Sequence, residues 1–91
     1  MTTAAPLPVE VTFRTAPAVL EAASAGLAEG PRDVDLAACT VFDSSLLGTL
    51  LELQRRAAAR GGRCRFLHPP PNLRKLAALY GVDGLLFERR D

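Results

Sequence analysis

The stretch "TVFDSSLLGTLLEL", residues 40–53, sets one acid and two hydroxyls, Asp43, Ser44 and Ser45, between two apolar segments. An Asp beside a Ser suggests an activated nucleophile, but a carboxylate is a poor base for an alcohol at neutral pH without a His or Lys relay. A different chemistry suits the trio. Side-chain oxygens at a helix start accept hydrogen bonds from its free N–H groups, and the helix dipole favours negative charge there. A hydroxyl in that position is also well placed to become a phosphate, whose charge would meet the positive end of the dipole. Capping alone accounts for such a motif, yet one cap suffices and this turn holds three candidates. A docking point or a switch is therefore the functional expectation beside the plain cap.

The other chemistry-bearing residues form no constellation. Cys39 and Cys64 belong to no CxxC and no Cys/His pair, which points to buried thiols rather than to zinc or a disulfide framework. His68 precedes three prolines with no Cys or acid at catalytic spacing and is expected in a loop. Asp33 and Asp35 alternate at a strand start, as exposed ends rather than a carboxylate pair. There is no Gly-rich loop of the GxxxxGK[ST] kind, so no nucleotide hydrolysis is expected. The chain is expected to be no enzyme and to carry no cofactor and no metal.

Net charge is +1, but it is divided unevenly. Residues 1–43 hold two arginines against six acids, a balance of −4, and residues 44–91 hold nine Lys or Arg against four acids, a balance of +5. Arg55, Arg56, Arg60, Arg63 and Arg65 raise the question of nucleic acid. No aromatic residues are interleaved for stacking and no nucleic-acid motif matches, so a solvated helix face and turn is expected, without a nucleic-acid partner.

These residues have to be positioned by a small fold. At 91 residues and 48% apolar composition the chain suits one modest core, and five aromatic residues with no Trp leave that core to Leu, Val and Ala. One domain over residues 7–91 is expected, with residues 1–6 disordered. No apolar run approaches the roughly 18–20 residues of a membrane span and no leader pattern opens the chain, so a cytoplasmic protein without direct membrane insertion is expected.

"LPVEVTF" (7–13) alternates as a half-buried strand with Val9, Val11 and Phe13 on one face. Thr15 can cap a following helix that has Pro17 in its first turn, Val19, Leu20, Ala23 and Leu27 on one side, and Gly30 and Pro31 at its end. "DVDLAACTVF" (33–42) suits a buried strand. Residues 45–60 form a helix with a broad leucine stripe, stopped by Gly61 and Gly62. "RCRFL" (63–67) alternates as a strand, and the third proline starts a helix with Leu73, Leu76, Ala77, Leu79 and Tyr80 as its apolar face and Gly81 as its cap. "GLLFERR" ends the chain as a short strand or a turn of helix. The order β-α-β-α-β-α implies an α/β fold, a small sheet with helical crossovers. The trio then falls at the carboxyl end of a strand, where open α/β sheets place functional groups.

The run "VDLAACTVFDSSLLGTLLELQRRAAARGGRCRFLHPPPNLRKLAALYGVDGLL" resembles the STAS domain, the family of bacterial anti-sigma-factor antagonists and of a cytosolic subunit of Mla-type phospholipid ABC transporters. The linked pieces are the "VDL" strand, the D-S/T-S-x-L-G turn, the "GG" stop, the Pro-led helix and the closing "YGVDGLL". The resemblance implies a small mixed β-sheet with helices mainly on one face. For the antagonist branch it implies phosphorylation at Ser44, with an anti-sigma factor or kinase as partner. For the transporter branch it implies docking of the same turn and helix, Asp43, Ser44, Ser45, Leu46, Leu47 and Gly48, on the ATPase subunit, with the neighbouring 68–75 loop joining. Leu46 stands where family members commonly have Gly, and one clear strand precedes Thr15 where antagonists have a fuller hairpin. Both departures resemble the transporter branch, in which Leu46 and Leu47 become candidate apolar anchors, as well suited to that role as to the core.

Overall fold

Pro8 has no N–H to give to a ladder, and around it the first extended segment changes partners. In the computed structural model, which describes residues 5–29 and 32–87, this segment is two short strands, β1 (Ala5–Pro6) and β2 (Glu10–Val11). The Leu7 N–H donates to Asp35 O at 3.1 Å, while Val9 O accepts from both Thr40 N and Val41 N at 3.1 and 3.0 Å. Two donors opposite one acceptor make a local bulge. Leu7 and Val11 are consequently buried and Val9 and Phe13 exposed, so Val9, Val11 and Phe13 do not share the inner face expected of one strand. Residues 1–4 of the segment expected to be disordered lie outside the described residues, whereas Ala5 and Pro6 pair with Val34 and Asp35.

The second segment divides in the same way, into β3 (Arg32–Asp35) and β4 (Val41–Phe42). Between them the Ala37 N–H bonds Asp35 Oδ1 at 2.9 Å and the Cys39 N–H bonds Leu36 O at 3.0 Å, which closes a turn. With β5 (Cys64–Leu67) the strands form a three-stranded sheet of order β1-β3-β5 and a two-stranded one of β2-β4. Where the resemblance implied a mixed sheet, every ladder among the described residues is parallel. Parallel neighbours need crossover connections, and helices supply them.

Helix α1 (Ala16–Ala25) runs on as a 3-10 turn, Gly26–Glu29; the expected stop at Gly30 and Pro31 lies outside the described residues. Thr15 sits at its N-cap without a side-chain cap bond, because its hydroxyl oxygen instead accepts the Thr12 N–H at 3.0 Å. Helix α2 (Ser45–Ala59) closes on Gly61, whose φ of 77° is left-handed. There Gly62 N bonds Ala57 O at 3.0 Å and Gly61 N bonds Ala58 O at 2.9 Å, satisfying carbonyls the helix leaves open. Pro71 is the first residue of α3 (Pro71–Leu79), and the chain then turns through α4 (Asp83–Leu86).

α1 packs on α2, and α2 covers β5. Leu46, Leu50, Leu53 and Ala57, at helical spacing on α2, bury into a core shared with Val11, Val34, Leu36 and Leu73. Cys39 and Cys64 are buried free thiols in that core. Leu79 and Tyr80 do not belong to the inner face of α3: Leu79 is 81% exposed and Tyr80 is also exposed. At about 100° per residue Leu79 lies some 240° around the helix from Leu73, and Tyr80 is already the C-cap where the helix unwinds.

Candidate functional site

The turn from β4 into α2 is organised by a single carboxylate. Asp43 Oδ1 accepts the Ser45 N–H at 2.9 Å and the Ser45 hydroxyl as well, and Asp43 Oδ2 accepts the Phe13 N–H at 3.0 Å. These donors, the Ser45 hydroxyl foremost, then the Phe13 and Ser45 amides, hold the Asp43 carboxyl below its usual range. Of the three cap candidates, Asp43 is the one whose side chain accepts. Ser44 occupies the N-cap position, but its hydroxyl makes no cap bond and the residue is exposed. Ser45 is the first helical residue, and its carbonyl accepts the buried Thr49 hydroxyl at 3.0 Å. Gly48 faces open space on the same first turn.

Leu46 and Leu47 are core rather than surface anchors, with 0% and 4% exposure. Leu46 starts the stripe that continues through Leu50 and Leu53, so its side chain points inward from the turn it follows. The surface neighbour that the sequence left hidden is Phe13, 74% exposed and tied through its amide to Asp43. Val9 and Val41, also exposed, meet nearby where Val9 O accepts the Val41 N–H. The available signal was Pro8, which demotes an alternating run from one continuous strand and so shifts which residues face inward.

The 68–75 loop makes other connections. His68 is left-handed, with φ of 58°, and its Nδ1 lies 3.3 Å from Asp35 Oδ1. Asp35 is drawn below its usual range first by the Ala37 N–H and then by His68. Among the described residues no hydrogen bond joins this loop to the 43–49 turn; the 12–15 turn is the one joined to it.

The arginines are used in pairs. Glu52 accepts from Arg55 at 2.8 and 2.6 Å and from Arg56 at 2.8 Å, which lowers its carboxyl to about 2. Arg56 also reaches Ser24 Oγ at 2.8 Å on α1, and Arg65 grips Asp33 through two bonds of 3.0 and 2.9 Å. No group of three or more His, Cys, Asp or Glu residues among the described ones could hold a metal ion, and no described helix is long and apolar enough to cross a membrane.

Comparison with known proteins bears on this arrangement. A solved structure of the anti-sigma factor antagonist SpoIIAA in its unphosphorylated form is similar, with a TM-score of 0.73 and 20% sequence identity over 100% of this chain and 85% of that one. At that identity the likeness speaks for the fold. No curated protein matches the chain. A sequence profile described as MlaB, STAS domain matches residues 7–87, which take in β2 to β5, all four helices and the Asp43 turn. The chain belongs to the MlaB-type STAS domain family.

Proposed function

We propose that this protein is a non-catalytic interaction module, the STAS subunit of an ABC transporter that moves phospholipids between bacterial membranes. It docks on the transporter's ATPase through the surface formed by Asp43, Ser44, Ser45, Gly48 and Phe13. The observation that carries the reading is the Asp43 carboxylate, which bonds Phe13 and Ser45 together and so makes one rigid surface of two strand-to-helix turns. An exposed aromatic beside polar, backbone-anchored groups is the composition of an interface centre. Leu46 and Leu47 support that surface from beneath and do not touch the partner. The family match supports the transporter assignment. Co-expression with the ATPase of an Mla-type transporter should give a complex that survives size exclusion; a chain that elutes alone would remove the assignment.

A second reading rests on a separate observation, the exposed Ser44 hydroxyl that no cap bond occupies at the N-terminus of a 15-residue helix. A phosphate there would meet the positive end of the helix dipole. The protein would then be an antagonist that releases an anti-sigma factor on phosphorylation. Intact mass after incubation with lysate and ATP separates the two, a phosphate on Ser44 favouring the switch.

A further inference from the structure

A groove of about 300 Å³ runs between α1 and the β1–β3 side of the sheet, away from the 43–49 turn. Leu7, Pro8 and Val34 form one wall and Ala18, Val19 and Ala22 the other, so its surface is mainly apolar. The exception is Arg32 at the start of β3, the charged residue among those lining the groove. Its Nε is buried with no hydrogen-bond partner, and none of the ion pairs of the described residues includes it. Arg55, Arg56 and Arg65, by contrast, each have a carboxylate. The Arg32 guanidinium is held by packing instead. It lies against Gly26 at the end of α1, where a Cβ would come within 2.2 Å of Arg32 Cζ.

We propose that this groove binds a single-chain alkyl carboxylate, a medium-chain fatty acid, with its chain along the apolar walls and its carboxylate on Arg32. The buried Nε of Arg32 has lost its water without gaining an acceptor, and a carboxylate matches the guanidinium fork with two acceptors. A neutral apolar ligand would fill the walls and leave the charge unmet. An inorganic anion would meet the charge and leave the walls wet. The volume lies at the lower end of the roughly 300–1,000 Å³ of small-molecule sites, which suits one chain rather than two.

The test is an amide chemical-shift titration of the whole chain with decanoate below its micelle concentration, beside decanol and acetate. Decanoate should move the amides of Ala18, Ala22 and Val34, with decanol and acetate much weaker. Arg32→Gln should weaken decanoate binding at least about tenfold, the loss expected when charge-assisted hydrogen bonds are removed. Ala22 is exposed, so Ala22→Trp should leave the fold intact and block the groove with Arg32 still present. Absence of groove shifts with decanoate, decanol binding as tightly as decanoate, or unchanged affinity in Arg32→Gln would each overturn the proposal.

Discussion

Asp43 Oδ2 accepts the main-chain N–H of Phe13 at 3.0 Å, joining residues 30 positions apart in the chain. With Oδ1 on Ser45, one side chain fixes both the start of α2 and the exit of β2. The surface at Ser44 and Phe13 is therefore a property of the fold rather than of a loose loop.

Replacing Asp43 by Ala should lower the urea midpoint and make it less dependent on pH. The native carboxyl titrates below its ordinary value, so its contribution is present above the unfolded pKa and disappears as pH falls through the lowered native one. Urea melts of wild type and Asp43→Ala should differ at neutral pH and converge in acid. A constant gap would show that the carboxylate charge is not involved.

Leu46 and Ser44 should separate stability from surface. Leu46→Ala removes a fully buried side chain and should cost about 2–5 kcal/mol in urea unfolding. Ser44→Ala alters an exposed hydroxyl without a cap bond and should stay within about 0.5 kcal/mol of wild type. Loss of binding on changing Leu46 would then report unfolding, not a lost contact.

Glu52 offers a second pH signature. Its two arginine partners lower its carboxyl to about 2, so the stability it contributes is complete above the unfolded value and fades as pH falls toward 2. Glu52→Gln should melt earlier than wild type at neutral pH. The difference should shrink near pH 2 and also in high salt, because the pair is exposed enough to be screened.

Both cysteines should be inert in the native protein. Burial raises the thiol of Cys39 and pushes that of Cys64 up to about 11, while the thiolate is the reacting form. Intact mass after iodoacetamide at pH 8 should show no adduct without denaturant and two adducts in urea. Rapid native labelling would contradict the placement of these residues.

What could be read from the sequence follows from how local each signal was. Gly61, Gly81 and Pro71 act on the backbone next to them, and each stands where the helix ends and starts were expected. The leucine stripe of α2 carries its own period, and it faces the core. Signals that depend on a partner elsewhere were lost. The alternation of residues 7–13 gave no sign that Val9 O would serve two donors from the next strand, which turns Phe13 outward. Three cap candidates in a row could not disclose that Asp43 would take the Ser45 amide and leave Ser44 free, since that choice is linked to Phe13. Leu46 and Leu47 looked equally suited to core and to interface, and only their burial in the common core decides between them.

The central claim, that the Asp43–Phe13 surface grips another polypeptide, is tested most directly by Phe13→Asp in co-purification with the transporter ATPase. The substitution changes a side chain that is 74% exposed, so circular dichroism should match wild type. The account predicts a folded protein that no longer holds the ATPase, an affinity loss of at least about tenfold for an interface-centre aromatic. A folded Phe13→Asp variant that binds the ATPase as wild type does would contradict it.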